Sequence, residues 1–249
     1  MSSYDEKGAD RYDHVIQQPV YKYYVKKKLE MIKRWVRRSD YILDVGCGTG
    51  EYTTSLANHC KLIVGLDTSP KMIKRGHAKA KIKGLENIAY VVGDITHLPF
   101  CNKIFDVVAS VNLIHHLVYD RIIFQGFLEK VRVSKRGSHI IVFELNSNSL
   151  GWSNNLIARI IRGIVYVILF PLKQDVLDNI EENTRVIDIP NLFERIQKIN
   201  ICLQKIGGFI PTYCPIALLN FFILLEKVME ATPLLKRQGA HVLVVGEIQ

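Results

Sequence analysis

Short apolar runs alternate with amphipathic stretches through the first part of the chain. Residues 41–45, 61–66, 88–92, 105–111 and 138–145 read as strands. Between them, residues 51–58, 70–80 and 120–133 repeat apolar positions at helical spacing, and Ser69 ahead of Pro70 marks a helix start. Strands that are apolar on both faces and separated by helices predict a parallel sheet covered on both sides.

The pattern changes after the fifth strand. Residues 146–190 contain no convincing strand. They hold an apolar helix at 156–169, punctuated by Arg159 and Arg162, and then an acidic stretch at 175–182. Regular order resumes with a helix at 192–205, a strand at 209–213, a helix at 216–230 and a last strand at 241–247. The expected division is a basic helical segment (1–40), a ligand-binding core (41–145), a helical insertion over one end of the sheet (146–190) and a completion of the sheet (191–249). Two uncharged stretches need a test as membrane spans. Residues 163–172 have half the required length, and 206–225 are broken by Gly207, Gly208, Pro211, Pro215 and Asn220. Buried loop, strand and helix are expected there. The polar start, Met1 to Asp13, lacks an apolar leader core, so no secretory signal is expected.

The most specific chemical signal is Leu43-Asp44-Val45-Gly46-Cys47-Gly48-Thr49-Gly50, running from the first strand into a helix. Glycines at alternate positions let the backbone turn sharply and approach a ligand. In an open parallel sheet this loop is where a nucleotide-like ligand sits. The spacing is G-x-G-x-G rather than G-x-G-x-x-G, no Gly-Lys-Ser/Thr follows, and Asp44 stands two residues before the first glycine. A carboxylate there repels a diphosphate and favours a cationic ligand with an amino group. Asp67, with Thr68 after it, ends the second strand, where a carboxylate accepts hydrogen bonds from both ribose hydroxyls. Asp94 follows the third strand and is a candidate for an adenine amino group, with Ile95 against the ring and Met72 on the other face. The plainer readings are a helix cap for Asp67, a turn-stabilising role for Asp94 and core packing for Met72.

Composition narrows the class. The chain has 249 residues, 48% apolar and 23% charged, which suits one large domain or a domain with a small insertion. Its five cysteines (47, 60, 101, 202 and 214) are odd in number and form no C-x-x-C. Neither a disulfide framework nor a zinc site is expected, and a reducing cytoplasm fits. The formal net charge is +9. Residues 22–38 carry eight Lys/Arg and one acid, Glu30, with Tyr21, Val25, Leu29, Ile32 and Val36 at helical spacing. Lys71, Lys74, Arg75, Lys79, Lys81 and Lys83 form a second basic stretch. The first reading is a solvated face of packed helices. An anionic membrane surface ranks second. RNA ranks third, because no RNA-binding module is recognisable.

With these residues in place, the chain resembles the class I S-adenosylmethionine-dependent methyltransferases, in the branch of ubiquinone/menaquinone-type small-molecule methylases. The resemblance rests on 43–50, 65–70, 92–100 and Phe105-Asp106-Val107-Val108 followed by Leu113-Ile114-His115-His116-Leu117. It covers 41–145 and resumes more weakly from Leu192. It implies a Rossmann-like sheet of seven strands, mostly parallel with the last antiparallel. It implies S-adenosyl-L-methionine as cofactor, its methionine part held by Asp44, Gly46, Cys47, Gly48 and Gly50. It also implies ribose at Asp67 and Thr68, adenine near Asp94, Ile95 and Met72, and Val111 and Asn112 near the methyl group. Tyr12-Asp13 resembles an N-terminal tyrosine that covers the cofactor.

The reaction implied is methyl transfer by in-line displacement to a small-molecule or lipid-type acceptor, where positioning supplies much of the catalysis. No metal is implied. His115 and His116 are the candidates for a base, if the acceptor must lose a proton, although a structural role is the plainer reading. Peripheral contact with an anionic inner membrane face is the second-ranked reading of the basic helix, behind a solvated face. The alternatives are a non-catalytic cofactor-binding partner subunit and an RNA methyltransferase using the basic surface.

Overall fold

The computed structural model describes residues 6–117, 119–145, 189–196, 199–207, 216–232 and 241–249. Two helices come first, α1 (Glu6–Ile16) and α2 (Pro19–Lys33). Strands and helices then alternate: β1 (Tyr41–Val45), α3 (Glu51–Leu56), β2 (Leu62–Asp67), α4 (Pro70–Ile82), β3 (Ile88–Val92), β4 (Phe105–Val111), α5 (Asp120–Val133) and β5 (Ser134–Leu145). The remaining described elements are α6 (Ile189–Ile196), β6 (Ile199–Gly207), α7 (Ile216–Ala231) and β7 (His241–Ile248).

The seven strands form one sheet in the order β3-β2-β1-β4-β5-β7-β6. β1 to β5 pair in parallel, and β7 runs antiparallel to both β5 and β6. The Rossmann-like sheet with its antiparallel last strand is therefore as expected. The chain moves outward from β1 to β3, then returns to the other side of β1 for β4. That reversal opens a crevice at the carboxyl ends of β1 and β4.

Period-two alternation divides the strands between two cores. Leu43, Val45, Val64, Leu66, Val108, Ile140, Val142, Val242 and Val244 pack on one face with Ile123 and Phe127 of α5 and Leu192, Phe193 and Ile196 of α6. Ile42, Ile63, Val107, Ala109, Ile141, Phe143, Leu243 and Val245 pack on the other face with Leu29 and Ile32 of α2 and Tyr52 and Leu56 of α3. Each fully buried aliphatic side chain contributes about 1.5–3 kcal/mol. This two-sided burial is why the strands read as continuous apolar runs.

Helix α4 starts as the sequence predicts. Pro70 occupies the first turn, and Ser69 Oγ accepts the Met72 N–H at 3.4 Å. Two expectations need correction. The helix expected at 192–205 ends at Ile196, and β6 begins at Ile199. The strand expected at 209–213 lies outside the described residues. The basic helix expected over 22–38 runs instead over Pro19–Lys33, so Arg37 and Arg38 follow it. The expected helix at 156–169, the acidic stretch at 175–182 and nearly all of the insertion at 146–190 also lie outside the described residues. Among the described residues no helix is long and apolar enough to cross a membrane.

Candidate active site

After β1 the backbone passes through Gly46 (φ 74°), Gly48 (φ 53°) and Gly50 (φ 78°). At Gly50 a β-carbon would stand 2.2 Å from Tyr90 Oη, so both conformation and space require glycine. The turn is pinned from behind, because the N–H groups of Gly46 and Cys47 both donate to the Leu66 carbonyl, at 2.8 and 3.0 Å.

Asp44 lies beneath this loop, 2% exposed, and accepts a hydrogen bond from Thr53 Oγ1 at 2.6 Å. Burial raises its pKa to about 6, with repulsion from Asp67 adding to the shift and Thr53 opposing it. Asp67 joins the first two strand ends. Its Oδ2 accepts the Gly48 N–H at 3.0 Å and its Oδ1 the Ser69 N–H at 2.9 Å. Burial pushes the Asp67 carboxyl up, while N–H donors of Ser69, Gly48 and Thr68 hold it down. Ser69, not Asp67, makes the side-chain cap of α4.

The other expected residues divide into two groups. Thr68 is exposed beside Asp67, and Asn112 is exposed at the end of β4. Asp94 is exposed after β3, where its Oδ1 accepts both the N–H and the hydroxyl of Thr96 at 2.7 Å. The turn-stabilising role is therefore present, on that oxygen. Met72, Ile95, Val111 and Cys47 are buried. Ile95 packs into Gly126 of α5, its Cγ1 being 2.7 Å from where a β-carbon would stand. Cys47 Sγ points toward Gly65, and burial followed by repulsion from Asp44 and Asp67 drives its thiol pKa far up. At Cys47 it is therefore the main chain that faces the loop. Asp44, Asp67, Asp94 and Asn112 stand at or just beyond the ends of four adjacent strands.

Helix α1 covers the loop. The Tyr12 ring lies 3.5 Å from where a Gly48 β-carbon would stand. The adjacent Asp13 fastens the helix. Its Oδ1 accepts from Thr49 Oγ1 at 2.7 Å and Lys79 Nζ at 2.6 Å, and its Oδ2 from Arg75 Nη1 at 3.1 Å. Arg75 also pairs with Asp10 at 2.5 Å. Burial works to raise the Asp13 pKa, but the bonds from Lys79, Thr49 and Arg75 outweigh it and leave a net lowering.

A second polar group gathers where β4 and β5 end. Glu144 is buried, and its Oε2 accepts the Ile114 N–H at 2.6 Å. Its Oε1 accepts the Leu145 N–H at 3.1 Å and makes a short hydrogen bond with His115 Nδ1. Burial works to raise the Glu144 pKa, and the His115 contact with the two amides brings it below its ordinary value. His116 stacks on His115 with ring centroids 4.0 Å apart, but is itself exposed. Two buried lysines flank the group. Lys130 Nζ donates to Ser110 Oγ at 2.6 Å, and Lys28 Nζ to Asn112 Oδ1 at 2.8 Å. Burial pushes the Lys130 pKa down to about 7 and that of Lys28 to about 8, with Glu144 opposing both shifts. Sequence reasoning missed Lys28, Lys130 and Glu144 as site residues. Glu144 was visible as an acid ending an apolar strand, whereas nothing local distinguished Lys28 from the other basic residues around it.

Residues 43–142 match a family model described as a methyltransferase domain. The chain carries a class I S-adenosylmethionine-dependent methyltransferase domain. A demethylmenaquinone methyltransferase of Anoxybacillus flavithermus is 30% identical over 149 residues, 58% of this chain and 62% of that protein. The match therefore spans less than two thirds of the relative's length. Among solved structures, the methyltransferase domain is similar to a chain in the complex between the Haloferax volcanii Trm112 methyltransferase activator and a methyltransferase. The TM-score is 0.67 at 18% identity, covering 100% of this chain and 98% of that one. The N-methyltransferase NodS of Bradyrhizobium japonicum, solved with S-adenosyl-L-homocysteine, gives 0.59 at 13% identity, covering 94% and 90%. These structures share the fold. The cofactor of the domain class is S-adenosylmethionine, and the donor set suits it. An acid-led glycine loop answers a cationic ligand, and Asp67 offers a fixed carboxylate beside it.

Proposed function

We propose that this protein is an enzyme that methylates a small molecule or lipid-type compound. The observation that carries the reading is Asp67, held by the Gly48 and Ser69 amides so that the glycine loop and the second strand end form one binding surface. S-adenosylmethionine bound there supplies an electrophilic methyl group on a positively charged sulfur. Asp44, Gly46, Cys47, Gly48 and Gly50 are assigned to its methionine part, Asp67 and Thr68 to ribose, Asp94, Ile95 and Met72 to adenine, and Val111 and Asn112 to the methyl end. The buried Asp44 charge favours a cation above the loop, and Tyr12 excludes water from that side. At His115, the Glu144 bond to Nδ1 fixes the ring and leaves Nε2 to take a proton from the compound being methylated.

In the same reading, 1–40 cover the site, 41–145 hold the cofactor, 191–249 complete the sheet and 146–190 adapt it to the compound. The quinone-type substrate named for the Anoxybacillus relative supports an apolar, ring-bearing compound here. Helix α7 supports a peripheral place at the cytoplasmic membrane face. It exposes Phe221, Leu224, Leu225 and Val228 at successive helical turns. Transfer of radiolabelled methyl to a cell extract, with mass spectrometry searching for one added CH₂, tests the assignment. A labelled small molecule or lipid is expected. S-adenosylhomocysteine binding without any labelled product would identify a non-catalytic binding subunit instead, and label in RNA would move the substrate class.

A further inference from the structure

We infer that Lys28 and Asn112 together form a recess for an oxyanion carried by the compound to be methylated, an inference that rests on the methyltransferase reading above. Lys28 belongs to α2, far from the glycine loop in sequence, yet it is 4% exposed and reaches the end of β4. Its Nζ lies over the Phe143 ring, 5.5 Å from the centroid, and donates to Asn112 Oδ1 at 2.8 Å. An ammonium has three donors and no acceptor. Among the described residues Asn112 Oδ1 is its single hydrogen-bond acceptor, so two donors remain. The pairing also fixes the amide. Lysine only donates, so the carboxamide oxygen must face it, and Asn112 Nδ2 must turn the other way with its own two donors.

Asn112 is exposed at the carboxyl end of β4, in the left-handed region at φ 55° that asparagine tolerates, and its N–H donates to the Phe143 carbonyl at 2.8 Å. The surrounding charges are also unbalanced. Glu144 is the nearby carboxylate, and its oxygens are engaged by His115 and the amides of Ile114 and Leu145. Lys27 is neutralised by Glu226 and Glu230, at 3.0 and 2.6 Å. His241 opens β7 opposite Leu145, stacks 5.4 Å from Tyr24, and has a buried Nδ1 with no hydrogen-bond partner among the described residues. Burial, then Lys28 and His115, push its pKa well down. Among the described residues Lys28 is thus a buried cation with spare donors and no committed anion, behind an exposed amide that presents N–H groups. An oxyanion on a planar carbon fits, whether phenolate or carboxylate. It would accept from Asn112 Nδ2, with the Lys28 ammonium behind the amide supplying the attracting charge.

The test uses the full chain saturated with S-adenosylhomocysteine and three probes of one shape: 4-nitrophenolate, 4-nitrobenzoate and the neutral 4-nitroanisole. Calorimetry is expected to show at least one anion bound about tenfold more tightly than the anisole, the scale of one charge-assisted hydrogen bond. The stronger anion identifies the oxygen type. Lys28→Met, an apolar replacement of similar length, is expected to bring anion and anisole within about twofold of each other. Asn112→Asp keeps an exposed residue that tolerates the left-handed conformation while placing a carboxylate beside the ammonium. It is expected to abolish the preference too, which keeps the test open if Lys28→Met fails to fold. No anion preference in the wild type, or a preference that survives in a folded variant, overturns the inference. Failure of the wild type to bind S-adenosylhomocysteine is a separate result and overturns the cofactor reading.

Discussion

At the residue scale, two carboxylates under one loop carry different expectations. Asp67 offers fixed oxygens, and its charge-assisted bonds to a ligand hydroxyl would each be worth about 1.5–3 kcal/mol. Asp67→Ala is therefore expected to weaken S-adenosylhomocysteine binding by that amount in calorimetry, and unchanged affinity would remove Asp67 from the binding surface. Asp44 acts through its charge, which is titratable near neutrality because its pKa is raised to about 6. The folded state holds this proton more tightly than the unfolded chain. Asp44 thus lowers stability progressively as pH rises from about 4 through about 6. Cofactor affinity should move the other way, since a cation prefers the ionised form. Binding of S-adenosylmethionine is expected to strengthen between pH 5 and pH 7, about a midpoint near 6. Asp44→Asn should flatten that profile, and an unchanged profile in the variant would assign the titration to another group.

At the element scale, α1 acts as a strap whose strength lies in Asp13. The carboxylate joins α1 to Thr49 of the glycine loop and to Arg75 and Lys79 of α4, and so keeps Tyr12 over Gly48. These groups are partly exposed, so solvent screening limits what each pair adds to folding. Asp13→Ala is expected to leave the thermal midpoint nearly unchanged while reducing cofactor affinity about fivefold, the equivalent of roughly 1 kcal/mol. Stopped-flow release of S-adenosylhomocysteine should place most of that loss in the off-rate, and an unaltered off-rate would show that the strap does not hold Tyr12 in place.

The elements also explain what the sequence disclosed. β1, β2, β4 and β5 were legible because both their faces are buried, and α4 because Ser69-Pro70 starts it. β6 was misread as helix. It is an edge strand paired on one side with β7, with a register shift between Ile201 and Leu203, so its apolar positions lack a clean period of two. Asp44 and Asp67 were legible because the glycine pattern ties them to a local backbone shape. Lys28 was not, because the contact that separates it from Lys26 or Lys33 is made by Asn112, a residue of another element.

At the scale of the whole molecule, charge and apolar surface need not act in the same place. Helix α7 packs Leu219, Phe222 and Ile223 toward Val20, Tyr23 and Tyr24 of α2, and Glu226 accepts from both tyrosine hydroxyls, at 2.5 and 3.0 Å. That face is fully used. Phe221 and Leu224, the most exposed of its apolar side chains at 61% and 63%, lie with Val228 on the side of α7 turned away from α2. If they enter a bilayer surface, the binding energy is hydrophobic and should survive moderate salt. If the lysines of α2 and α4 dominate, attraction to anionic vesicles should fall as ionic strength rises. Flotation with phosphatidylserine-containing vesicles separates these contributions. Wild-type protein is expected to float at both low and moderate salt, and the double variant Phe221→Asp, Leu224→Asp to stay at the bottom while still binding S-adenosylhomocysteine. Because both residues are exposed and lie off the α2 contact, loss of folding would not explain such a result. A wild-type protein that remains soluble with anionic vesicles at low salt would instead leave the apolar stripe for a protein partner and remove the membrane from the proposed function.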